Sequence, residues 1–100
     1  MAESEAWPAN WRTVTLEEQA GLARALAKEL PKGHRLEGVS AIAIARREDQ
    51  DDVLFRLSDG RFASVHLTWT TNVLPFPFVE MFTSLGAWRL SVLEEEDDDA

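Results

Sequence analysis

Cysteine is absent from the chain. That removes disulfides, thiol catalysis and Cys-based metal sites in one stroke. Histidine is scarce, with only His34 and His66, so a His-rich metal cage is excluded as well. No run approaches the roughly 18–20 consecutive apolar residues that a membrane-spanning helix needs. The opening "MAESEAWPAN" has two glutamates, no basic stretch and no apolar core, so it does not read as a signal peptide, and a cytoplasmic setting is expected. No glycine pattern cradles a phosphate and no Gly-x-Ser-x-Gly elbow surrounds a serine, so neither a nucleotide cofactor nor a serine hydrolase is expected.

What is present suits one small domain. The length is 100 residues and the apolar content 45%, enough for a single modest core. The net charge of −8 is concentrated at one end. Six of the 18 acidic residues form "EEEDDD", Glu94 to Asp99, and the remaining 12 nearly balance 10 basic ones. Such a run repels itself, so residues 93–100 are expected to be a disordered acidic tail on a domain spanning 1–92. Direct nucleic-acid binding is disfavoured, because phosphate affinity comes from Lys and Arg.

The period of the pattern changes along the chain. Residues 1–13 hold Trp7, Pro8 and Trp11 but no repeat, which predicts an irregular arm whose indoles cover apolar surface. Thr15 with Glu18 three residues on writes a capping box. Leu16, Ala20, Ala23, Leu26, Ala27 and Leu30 then form one apolar stripe of a helix that ends at "PKG", 31–33. From residue 40 the period drops to two. "VSAIAIARR", "DVLFRL" and "RFASVHLTW" predict three antiparallel strands in a meander, joined by the polar "EDQD" loop and a two-residue Asp59-Gly60 turn. "TTNVLPFPF" is expected to be a proline-containing loop. Phe78, Met81, Phe82, Leu85 and Trp88 then fall at helical spacing and predict a short C-terminal helix. The expected fold is α+β: an N-terminal amphipathic helix packed on a three-stranded antiparallel meander, followed by the proline loop and the short helix.

Those turn lengths imply a register: Leu57 opposite Phe62, Val53 opposite His66, Ile44 opposite Phe55. One face then carries Ile42, Ile44, Val53, Phe55, Leu57 and Phe62, with Arg46, His66 and Thr68 at one end. The other carries Ala41, Ala43, Ala45, Leu54, Val65, Leu67 and Trp69 among Arg47, Arg56 and Arg61.

The stretch "GVSAIAIARREDQDDVLFRLSDGRFASVHLTWT", together with Phe82, Ser84, Leu85 and Trp88, resembles an uncharacterised family of small bacterial proteins. In that family an "ARR.D.DDVLF.L.DGR.A.VHLTW" pattern precedes a proline-containing loop and a short helix. The resemblance implies no activity and carries over no site residues.

Two candidate sites follow from the residues. Arg46, His66 and Thr68 could form a small-anion-binding or hydrolytic rim, with His66 as proton donor. The plainer alternative, a hydrogen-bonded histidine at the end of a strand, is favoured because no residue that orients the imidazole is legible. Arg47, Leu54, Arg56, Leu67 and Trp69 are the candidate interaction face, since Trp and Arg are enriched at binding hot spots. The alternative is that Trp69 and Trp88 simply pack together. His34 is expected to pack or cap, and the acidic 48–52 loop to be a solvated turn with local ion pairs, not a calcium site. The expected function is a non-enzymatic, cofactor-free protein-interaction module, such as an adaptor, regulator or antitoxin- or immunity-like binder. Its partner would be another protein. The alternative to the module is a homo-oligomerising subunit whose edge strand, Phe62 to Trp69, pairs with its copy.

Overall fold

The computed structural model describes residues 7–68 and 79–98. Five strands and two helices follow in the order β1 (Trp11–Thr13), α1 (Leu16–Glu29), β2 (Ala41–Arg47), β3 (Asp52–Leu57), β4 (Phe62–His66), β5 (Val79–Phe82) and α2 (Leu85–Asp98). The strands form one antiparallel sheet in sequence order, β1 to β5, so the fold is α+β. No helix among the described residues is long and apolar enough to cross a membrane.

α1 begins where the capping box places it. Thr15 Oγ1 accepts from the Glu18 amide at 3.1 Å and Glu18 Oε1 accepts from the Thr15 amide at 2.9 Å, so two orphan donors are satisfied reciprocally. The helix ends at Leu30, before Pro31, and Gly33 takes φ 89° in the turn beyond. Its buried stripe is Leu22, Leu26 and Glu29, with Ala25 packed alongside. That is rotated from the stripe expected: Leu16, Ala20 and Ala27 are exposed. Alanine contributes little area, so the two leucines set the face, and each stabilises by about 1.5–3 kcal/mol when fully buried.

The sheet is wider than its three period-two runs. The arm expected at 1–13 supplies β1, in register Trp11↔Arg47 to Thr13↔Ala45. Asn10 reaches the left-handed region, φ 73°, in the turn that feeds it, a conformation asparagine tolerates. β5 comes from residues expected to begin the last helix. Val79 and Met81 pack on the α1 side, while Phe82 packs with the α2-side cluster, which is period two and not helical. α2 starts only after Thr83, with Ser84 Oγ accepting from the Ala87 amide. It runs to Asp98, through residues expected to belong to a disordered acidic tail. β4 is paired with β3 on one side and, over Phe62–Val65, with β5 on the other, so that stretch is not the sheet edge expected to pair with a copy. The proline loop and Trp69 lie outside the described residues.

Register differs from expectation at two places. The β3–β4 turn holds three residues, not two. The Gly60 amide donates to Leu57 O and the Leu57 amide to Arg61 O, with Gly60 at φ 92°: a type I turn closed by a left-handed glycine bulge. Phe55 therefore pairs with Ala63 and Val53 with Val65, one position from the expected partners. In β2 a bulge lies between Ala43 and Ala45, so Arg46↔Val53 holds as expected but Ala43, not Ile44, faces Phe55.

The two shifts sort the core into two layers. Under α1 lie Val14, Ala43, Val53, Phe55, Leu57, Ala63, Val65 and Leu67, with Leu36 from the turn after α1. Under α2 lie Trp11, Ala45, Leu54, Trp88 and Val92, with Trp7, Ile44, Phe62 and Phe82 around them. Trp88 meets Trp11 edge-to-face at 4.8 Å and Trp7 at 5.7 Å, so the indoles of the arm lock the last helix to the first strand.

Candidate functional site

α2 covers only part of its sheet face. Pairing places Ile42, Arg56, Phe62 and Phe82 side by side in one row across β2, β3, β4 and β5. Phe62 and Phe82 pack with Leu85 at the start of α2. Ile42 and Arg56, further along the row, are left open. Ile42 is 48% exposed although it sits inside a strand, and Arg56 is exposed with no ion pair among the described residues. Beside them Ser40, Leu57, Ser58 and Gly60 complete a shallow depression of about 380 Å³. Arg61, in the adjoining turn, is held by Asp59 at 2.6 Å, which raises the guanidinium pKa and lowers that of the carboxyl. The outer side of α2 adds Leu90 and Leu93, 63% and 43% exposed. The site is an apolar step with cations at one corner.

The expected interaction face is not assembled as one surface. Leu54 is on the α2 side but fully buried, Leu67 is buried on the α1 side, and Arg47 is held by Asp49 at 2.6 Å. Trp69 is outside the described residues. Arg56 is the member that remains exposed, and Ile42, assigned to the core by alternation, joins it.

The expected anion rim is likewise dispersed. Arg46 lies on the α1 side, 3.5 Å from Glu18. Glu18 also takes both terminal nitrogens of Arg12, and these hydrogen bonds, with that from Thr15, lower its pKa to about 2. His66 is on the opposite face. Its Nδ1 lies 2.6 Å from Asp52 Oδ1, which supplies the orienting carboxylate that the sequence did not reveal, and the ring is mostly in solvent. Thr68 bonds a third partner. Its amide lies 2.9 Å from both carboxylate oxygens of Glu29, and its Oγ1 donates to Oε1 at 3.0 Å. No cluster of three metal-ligating residues occurs among the described residues. His34 is buried and accepts from the Leu36 amide through Nδ1, a local cap of the kind expected.

Compared with protein-family models, with curated proteins and with solved structures, the chain shows no significant match to any. The functional reading therefore rests on the geometry of the site.

Proposed function

We propose that this chain is a small protein-interaction module that binds through the open part of its α2-side sheet face. The observation that carries the reading is the pairing of exposed Ile42 with exposed Arg56, which has no ion pair among the described residues, beside a shallow depression. A strand isoleucine left half in water forgoes stabilisation that a partner would restore. Arginine next to an apolar floor is the composition of a binding hot spot. The partner is another protein rather than nucleic acid, given a net charge of −8. On this reading the module performs no covalent chemistry, needs no cofactor and works in the cytoplasm.

The test compares proteins retained by the immobilised full chain and by the Ile42→Asp, Arg56→Glu double variant. Both positions are exposed, so the variant keeps the wild-type circular dichroism spectrum. Loss of specific retained proteins supports the reading; identical sets from a folded variant overturn it.

A further inference from the structure

Arg56 stands apart from the other arginines in strands. Arg12, Arg46 and Arg47 each hold a carboxylate at 3.5 Å or less, whereas Arg56 has no ion pair among the described residues. Pairing accounts for the difference. On the α2 side its cross-strand neighbours are Ile42 and Phe62, and along its own strand come Leu54 and Ser58, none of them charged. Asp59, in the turn beyond, is already engaged by Arg61, through the guanidinium at 2.6 Å and the amide at 3.0 Å. A guanidinium with its fork open is matched by a carboxylate, which takes two parallel hydrogen bonds from it. Ser40 and Ser58, the next pair along these strands, line the same depression and add hydroxyl donors. Ile42 adds an aliphatic contact, so the corner suits an acid and an aliphatic group side by side.

Spacing says how those two groups are carried. The open floor is formed by β2 and β3, because Phe62 and Phe82 in the same row pack with Leu85. Neighbouring strands lie about 5 Å apart. A helix is about 10–12 Å across, so a single extended chain fits this floor better. Ile42 and Arg56 are directly opposite, with about 4.5–5.5 Å between Cβ atoms of such pairs. In an extended segment, consecutive side chains point to opposite faces, and those two positions apart are separated by about 6–7 Å. The last residue of a chain meets the closer spacing, since it carries a carboxylate and a side chain on one Cα.

We infer that the occupant of this corner is the C-terminal residue of a partner protein, an aliphatic one, with its α-carboxylate on Arg56 and Ser58 and its side chain against Ile42. This rests on the interaction reading above and names the chemistry of the partner. Gly60 keeps the approach open, for a Cβ built there meets nothing within 4 Å.

Amide NMR shifts of the isotope-labelled full chain test this with short synthetic peptides. Acetyl-Gly-Ser-Gly-Leu with a free C-terminus shifts Ile42, Arg56, Ser58 and Gly60 saturably. Its C-terminal amide binds about tenfold more weakly or worse, because the charge-assisted hydrogen bonds are lost. Arg56→Gln, at an exposed position that leaves the fold intact, binds the free acid no better than wild type binds the amide. An amide that binds as well as the acid overturns the inference, as does an Arg56→Gln chain that binds like wild type, or the absence of any shift at millimolar peptide. A glycine-ended peptide that equals the leucine-ended one overturns the seat at Ile42. A peptide capped at both ends, with an internal Leu-Ser-Glu, that equals the free acid overturns the terminus in favour of a side-chain carboxylate. If no peptide binds but the Ile42→Asp, Arg56→Glu variant still loses retained proteins, the interaction module stands with a different occupant; if that variant loses none, both readings fall.

Discussion

Glu29 is the residue whose removal tests the assembly of the fold most directly. It is the last residue of α1, where a carboxylate opposes the macrodipole, and it is only 1% exposed. Helix propensity does not account for it; the amide and hydroxyl of Thr68, which it accepts from, do. Hydrogen bonds to a charged group contribute about 1.5–3 kcal/mol each in favourable settings. Thr68 is exposed, so water recovers part of that loss when the acceptor is deleted. Glu29→Ala should therefore cost about 2–3 kcal/mol, with the removed volume adding to the donors left unmet. For a domain of this size that lowers Tm by roughly 10–15 °C, given about 4–8 °C per kcal/mol. Glu29→Gln keeps an acceptor oxygen for Thr68 and should lose about half as much. Thermal and urea unfolding followed by circular dichroism measure both. A Glu29→Ala chain within about 0.5 kcal/mol of wild type, an amount typical of uninvolved surface sites, refutes the reasoning.

The remaining expectations are simpler. Glu18 titrates near 2 in the folded chain, below an ordinary carboxylate, chiefly through its hydrogen bond from Arg12. Its contribution is thus complete above the unfolded value of about 4.3 and fades as pH falls toward 2, so the stability gap between wild type and Glu18→Gln should close over that window in acid titrations. Gly60→Ala places a side chain at φ 92° and should cost about 1–2 kcal/mol in urea unfolding, with the β3–β4 pairing retained. Asp98→Lys at the C-terminal end of α2 should raise stability by about 0.3–1 kcal/mol at low salt and lose that gain at high salt.

Much of the architecture was legible because local chemistry wrote it. The capping box started α1 at Leu16, Pro31 ended it, and period-two runs marked β2, β3 and β4. The faces were harder to read. Asp59-Gly60 suits either a two-residue turn or a type I turn with a bulged glycine, and the two differ by one residue. That single step turned Phe62 and His66 away from α1 and sent Ala63, Val65 and Leu67 beneath it. In β2, isoleucines alternate with alanines, and bulk suggested that Ile42 was inside. The helices instead pack close on Ala43, Ala45 and Ala63, all fully buried, and Ile42 is left partly in water. β1 and β5, three and four residues long, are too short for alternation to announce them. The Asp52–His66 and Glu29–Thr68 contacts join residues 14 and 39 positions apart, so neither could be found before the strands were aligned.

The place of β1 in the sheet has a consequence for the nascent chain. Trp11–Thr13 has no strand to join until Arg47 has been added. The rings of Trp7 and Trp11 must wait still longer, until Trp88 arrives. Until Trp88 has been added the growing polypeptide therefore displays two bare indoles, an opportunity for chaperones and a hazard whenever translation stalls.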